Sequence, residues 1–143
     1  MNPSLVSRKI APTAVTTTRT SGRFARAGLV AGVCGAVANL AVVAIAHASD
    51  VSFEVKGEAI PLVAFPQMTL LAAVIGVGLA AVLVRRARRP RAVFLTVTIA
   101  LSALSLLPPV LVQTDTATRL VLELTHLLAA FVIIPAIASR LSD

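Results

Sequence analysis

The chain contains neither tryptophan nor tyrosine, and aromatic residues make up 3% of its 143 residues. It therefore lacks the aromatic platforms on which single-stranded nucleic acids stack, and the aromatic faces that cation-binding sites favour. Cysteine is nearly absent too. Cys34 stands alone, so an intramolecular disulfide is excluded and no metal or redox spacing can be built around it; it reads as a small buried hydrophobe. Charge is scarce, at 13% of residues, where soluble domains carry roughly a quarter. Enzyme signatures are missing as well. No glycine-rich phosphate loop, G-x-S-x-G elbow or HExxH pair occurs, so no catalytic residue and no cofactor is assigned.

What the chain has in excess is apolar sequence. Hydrophobic residues make up 57% and the mean hydropathy is +0.93. A soluble fold of this length could not bury that much apolar surface and still present a polar exterior. The net charge of +7 sits almost entirely between apolar runs, which is the pattern of membrane topology and not of nucleic-acid binding.

Four uncharged runs emerge, at about 27–48, 62–84, 92–112 and 120–139. Each has the roughly 20 residues that a ~30 Å hydrocarbon core requires of a helix, and none alternates as a barrel strand does. The expected fold class is all-α: an integral membrane four-helix bundle with antiparallel neighbours. Residues 1–26 are polar, Thr-rich and basic, and read as a disordered cytoplasmic tail. Residues 27–140 make up the transmembrane domain.

Lys and Arg give the orientation. Arg8, Lys9, Arg19, Arg23 and Arg26 precede the first run, and Arg85, Arg86, Arg88, Arg89 and Arg91 separate the second from the third. The other two loops hold only Lys56 and Arg119. Both termini are thus expected in the cytoplasm of a multi-pass protein of the cell membrane, with the arginine loop contacting anionic lipid headgroups. Ala46-His47-Ala48 resembles a signal-peptidase site, but the preceding apolar run is longer than a signal sequence uses, and the helix is expected to be retained.

Three faces stand out. Gly28, Gly32 and Gly35 form a stripe with Asn39 on the first run, a small-x-x-x-small pattern suited to close helix packing inside the bundle or between copies. Thr98, Ser102 and Ser105 share a face of the third run, where such hydroxyls usually bond their own backbone. On the fourth, Glu123 and His126 lie three apart, and ionisable groups inside a membrane are a functional hypothesis by default. Counted from Arg119, they sit about 6 Å and about 10 Å below the outer surface. Thr69 and Ser105 reach a similar depth and Asn39 lies slightly deeper. A polar layer of His126, Glu123, Asn39, Thr69 and Ser105 is therefore expected in the outer half of the bundle. Such a layer can simply cross-link helices, or it can bind a ligand, proton or cation. Haem held by His47 and His126 is disfavoured, because His47 lies several ångströms nearer the outer rim and there is no second histidine pair; a metal site from His47, Asp50, Glu54, Glu123 and His126 has no ligand spacing.

Four features together resemble a known family: Ala64-Phe65-Pro66-Gln67 leading into the second run, the basic loop, the Thr-rich turn 114–118, and a histidine in the fourth run followed by Ile134-Pro135. The chain is similar over about 27–140 to small four-helix membrane proteins of actinobacteria, a family of unknown function. The resemblance implies that Thr116, Thr118, His126 and Pro135 are family positions. It supplies no activity.

Two expectations for function follow. The first is a non-enzymatic accessory or interaction protein, or a binder of small lipophilic molecules, whose partners are membrane lipids and either a second copy of itself or another membrane protein. The second is a proton-coupled exporter of cationic compounds using Glu123, against which the missing Trp and Tyr count.

Overall fold

A computed structural model describes residues 14–107 and 114–143, the side chains of 14–21 excepted. Among the described residues the main elements are four helices, α1 (Ala14–Ala48), α2 (Ala64–Arg86), α3 (Pro90–Ser105) and α4 (Thr116–Ala138), with a two-stranded hairpin, β1 (Glu54–Val55) and β2 (Glu58–Ala59), between α1 and α2. The described chain is otherwise all-helical. Three helices, α1, α2 and α4, are long and apolar enough to cross a membrane.

The helix limits follow local chemistry. Pro66 falls in the first turn of α2, where the missing N–H would have no partner in any case. The arginine cluster ends that helix. Arg89 is then held out of helical geometry by the ring of Pro90, which opens α3 at its first position. At α3 the cap comes from elsewhere in the chain: Asp143 Oδ1 accepts the N–H groups of Arg91 at 3.0 Å and Ala92 at 3.2 Å. Asp115 caps α4 by accepting the Thr118 N–H at 2.9 Å.

One expectation needs correction. The first helix begins at Ala14, so residues 14–26 are not a disordered tail; residues 1–13 lie outside the described ones. The anchor is Phe24, 1% exposed and packed with Phe94, Ile137 and Leu141. The polar composition before it concealed a helix whose Phe24 ring packs into the core of the bundle. The third helix is described as Pro90–Ser105; the end of the expected run to 112, with Pro108 and Pro109, and Gln113 after it lie outside the described residues. The loop 50–60 forms a short hairpin. Lys56 and Gly57 both take positive φ, 55° and 81°, as a two-residue type I′ turn demands. Phe53, also at positive φ, is buried edge-on against Phe65, 5.4 Å between ring centres.

α1 lies against α2 and α4 along most of its length, and α3 leans on α2 and α4 from the other side. The buried face of α1 reads Phe24, Gly28, Ala31, Gly32, Gly35, Ala36, Asn39 and Val43, a stripe at spacings of three and four. A Cβ on Gly32 would stand 2.5 Å from the Ala73 Cβ, one on Gly35 3.3 Å from the Thr69 methyl, and one on Gly28 would collide with Val77. The glycine stripe therefore serves packing within the bundle. Small residues there let backbones approach closely, the main source of helix association where lipid, not water, surrounds the helices.

Candidate functional site: an apolar cavity with a polar end

α3 does not close onto its neighbours as α1 does. Between α2, α3 and α4 lies a cavity of about 660 Å³, within the usual range of roughly 300–1,000 Å³ for small-molecule sites. Its α2 wall runs from Ala64 to Leu79, about 22 Å of helix at 1.5 Å per residue. Toward the arginine loop it is lined by Leu79, Phe94, Ile133 and Ile134; toward the hairpin by Ile60, Phe65, Met68 and Leu122. Its polar lining consists of Asn39, Thr69, Thr98, Ser102, Ser105, Thr125 and His126.

Asn39 is the hub. It is 2% exposed, and Thr69 and Thr125 are 4% exposed. Its Nδ2 donates to Thr69 Oγ1 at 2.8 Å and to the Thr125 carbonyl at 3.1 Å, so one amide joins three helices. A carbonyl only accepts, which fixes the amide orientation: the nitrogen must face Thr125. That leaves Asn39 Oδ1 buried with no hydrogen-bond partner among the described residues. Thr69 Oγ1 passes its own hydrogen back to the Phe65 carbonyl at 2.9 Å. Thr125 Oγ1 does the same to Leu122 at 2.9 Å.

His126 is exposed and lines the cavity, with Nδ1 2.8 Å from the Leu122 carbonyl. The same logic puts the hydrogen on Nδ1, so the neutral ring keeps Nε2 as an acceptor. On α3, Thr98 Oγ1 donates to Phe94 at 2.7 Å and Ser105 Oγ to Ser102 at 2.7 Å, the backbone bonding expected of such residues.

The structure thus places Asn39, Thr69, Ser105 and His126 around one cavity. Glu123 does not join them: it is half-buried and contributes nothing to the cavity lining. Thr125 was missed by sequence reasoning. Its signal was rotational, since Thr125 and Glu123 are two residues apart and so point about 200° apart around the helix. Both cannot face the same interior. Two other groups at the hairpin end, Thr118 Oγ1 and Arg119 Nε, are also buried without partners. Asp115 beside them is held below the usual carboxylate range by the Thr118 hydroxyl and then by its N–H. Of the two, the N–H forms the bond of good geometry. His47 stands apart at the hairpin, its ring centre 6.4 Å from that of Phe53. Among the described residues, no three His, Cys, Asp or Glu side chains converge as metal ligands would. The arginines 85, 86, 88, 89 and 91 are all exposed at the opposite end.

Residues 19–143 match the model of a family of unknown function (DUF6069). No curated protein and no solved structure matches the chain.

Proposed function

The chain belongs to this family of unknown function, and we propose that it is a multi-pass protein of a bacterial cell membrane that binds a small lipophilic molecule between α2, α3 and α4. In this reading the chain crosses four times, both termini are cytoplasmic, and the hairpin and the Asp115 turn face outward. The polar end of the cavity then lies in the outer half of the bilayer. The arginine loop and Arg140 mark the inner face, and Lys56 and Arg119 are the sparse cations of the outer one. α3 spans only 16 residues, about 24 Å of helix, and depends on the residues that follow it to complete a crossing.

Two observations support a lipid setting. Large apolar side chains cover the outside of every helix: Phe131 is 80% exposed, Ile45 69% and Val37 64%. Surfaces so continuous are not left to water in a monomer. The observation that carries the binding reading is the cavity: elongated, apolar along most of its wall and polar at one end, it has the shape and chemistry of a site for a molecule with the same division.

Among the described residues, exposed apolar side chains lie on all four helices, so none of these faces favours the accessory role over the binding one. The exporter reading would require Glu123 in the cavity, and Glu123 is outside it.

Native mass spectrometry of the protein released from its own membranes tests the proposal. An apolar molecule should remain bound to the wild type and be lost from Ala129→Phe, which puts a ring into the cavity lining. A wild type that carries nothing, or a variant that retains the same mass, contradicts it.

A further inference from the structure

We infer that the polar end of this cavity selects an uncharged lipophilic molecule bearing a hydrogen-bond donor, of the alcohol or phenol class, an inference that rests on the cavity being a binding site. The argument counts hydrogens. Asn39 has two amide hydrogens, and both are committed, one to Thr69 and one to Thr125. The hydroxyl hydrogens of Thr69 and Thr125 are held by carbonyls of their own helices. Those of Thr98 and Ser105 are held in the same way, and the Nδ1 hydrogen of His126 faces Leu122. Among the described residues of this polar lining, only the Ser102 hydroxyl keeps its hydrogen uncommitted.

What these side chains retain is acceptor capacity. Asn39 Oδ1 is the sharpest case, because it belongs to a residue that is 2% exposed and lines the cavity, and it has no partner among the described residues. A buried carbonyl oxygen without a donor is unfavourable, and a ligand hydroxyl that a small side-chain shift admits to it removes that deficit. His126 Nε2 is a second acceptor on the same lining.

The same inventory excludes other heads. A carboxylate or phosphate brings only acceptors and would set lone pairs against lone pairs in a site without a cation, since no Lys or Arg lines the cavity. An ammonium would bring donors but also a charge, and with Glu123 outside the lining no carboxylate is there to neutralise it. Burying an unpaired charge is far costlier than burying a paired hydroxyl. An ether or hydrocarbon would fill the apolar part and leave Asn39 Oδ1 unsatisfied.

The test uses the full chain in phosphatidylcholine discs, photolabelled with a diazirine derivative of dodecanol, with the labelled residues mapped by mass spectrometry. Dodecanol, dodecyl methyl ether, dodecanoate and dodecylammonium compete in turn. Label is expected on residues of α2, α3 and α4 that line the cavity. Dodecanol should displace it at roughly tenfold lower concentration than any of the other three, about one hydrogen bond's worth of discrimination. His126→Phe, at an exposed position where folding is least affected, should narrow the gap between alcohol and ether. If label sits in the cavity but the ether or the carboxylate competes as well as the alcohol, the head-group selection is wrong while the binding site stands. Label scattered over the lipid-facing surface overturns the binding site itself.

Discussion

Asn39 on α1 and Thr69 on α2 are joined by a buried 2.8 Å hydrogen bond, and through Thr69 the chain of donors ends on the Phe65 carbonyl. The bond ties the glycine-lined contact of α1 and α2 to the wall of the cavity. It also commits a donor that a ligand could otherwise have used.

Replacements of Asn39 should therefore separate by chemistry more than by size. Asn39→Leu loses two hydrogen bonds, each worth about 0.6 kcal/mol between membrane helices, but also removes the unsatisfied Oδ1. Its net cost should be about 1 kcal/mol or less. Asn39→Asp replaces the donors with a carboxylate facing the Thr69 oxygen and the Thr125 carbonyl, and should prevent stable folding. Thermal unfolding in detergent, followed by helical circular dichroism, distinguishes them; equal losses would show that the amide hydrogens do not organise the site.

The α1 stripe makes its own prediction. Gly32→Ala sets a methyl against the Ala73 Cβ, which has no rotamer to yield, and should cost about 1–3 kcal/mol as overpacking does. Gly78 has nothing within 4 Å of its would-be Cβ. Gly78→Ala should leave stability unchanged or raise it by up to about 1 kcal/mol, the helix preference of alanine. Unfolding midpoints measured side by side give the comparison, and a harmless Gly32→Ala would mean that the helices sit farther apart than described.

Acid should loosen the start of α4. The Asp115 carboxyl is held below its ordinary range by Thr118. A depressed folded-state pKa contributes stability that is present above the unfolded-state value and lost as pH falls through the folded one. Exchange protection of the Thr118 amide, corrected for intrinsic rate, should thus fall at pH values below the ordinary carboxylate range. Asp115→Asn, which keeps an acceptor at the cap, should remove that dependence. Protection that is flat with pH in the wild type would contradict the assignment.

The orientation can be read chemically. In a Cys34→Ser background, Lys56→Cys in the hairpin turn should react with a membrane-impermeant maleimide on intact cells. Arg88→Cys should react only after the membrane is opened. The reverse pattern would invert the bundle, and equal labelling of both would place the chain outside a membrane.

Much of this architecture could be read from the residues. The second and fourth runs, expected at 62–84 and 120–139, became Ala64–Arg86 and Thr116–Ala138, because charge clusters and a capping aspartate mark their ends. The packing role of Gly28, Gly32 and Gly35 was legible because only close approach needs glycine on a helix face. Less legible was anything that depends on distant parts of the chain. The Asp143 cap on α3 joins residues about fifty apart, and the start of α1 at Ala14 hangs on the burial of Phe24. Within the site, the rule that ionisable groups face the interior favoured Glu123. The helix is instead turned so that Thr125 meets Asn39. Charge is visible in a sequence, whereas which side chains meet across helices is set only when the helices are rotated against each other.

The most direct test is a density map of the protein in native lipid. The account predicts an elongated feature between α2, α3 and α4, with its polar end within hydrogen-bonding distance of Asn39 Oδ1 and its tail toward Phe94. A map in which α3 closes onto α2 and α4 and leaves no space, or in which ordered water alone fills the cavity, would contradict it.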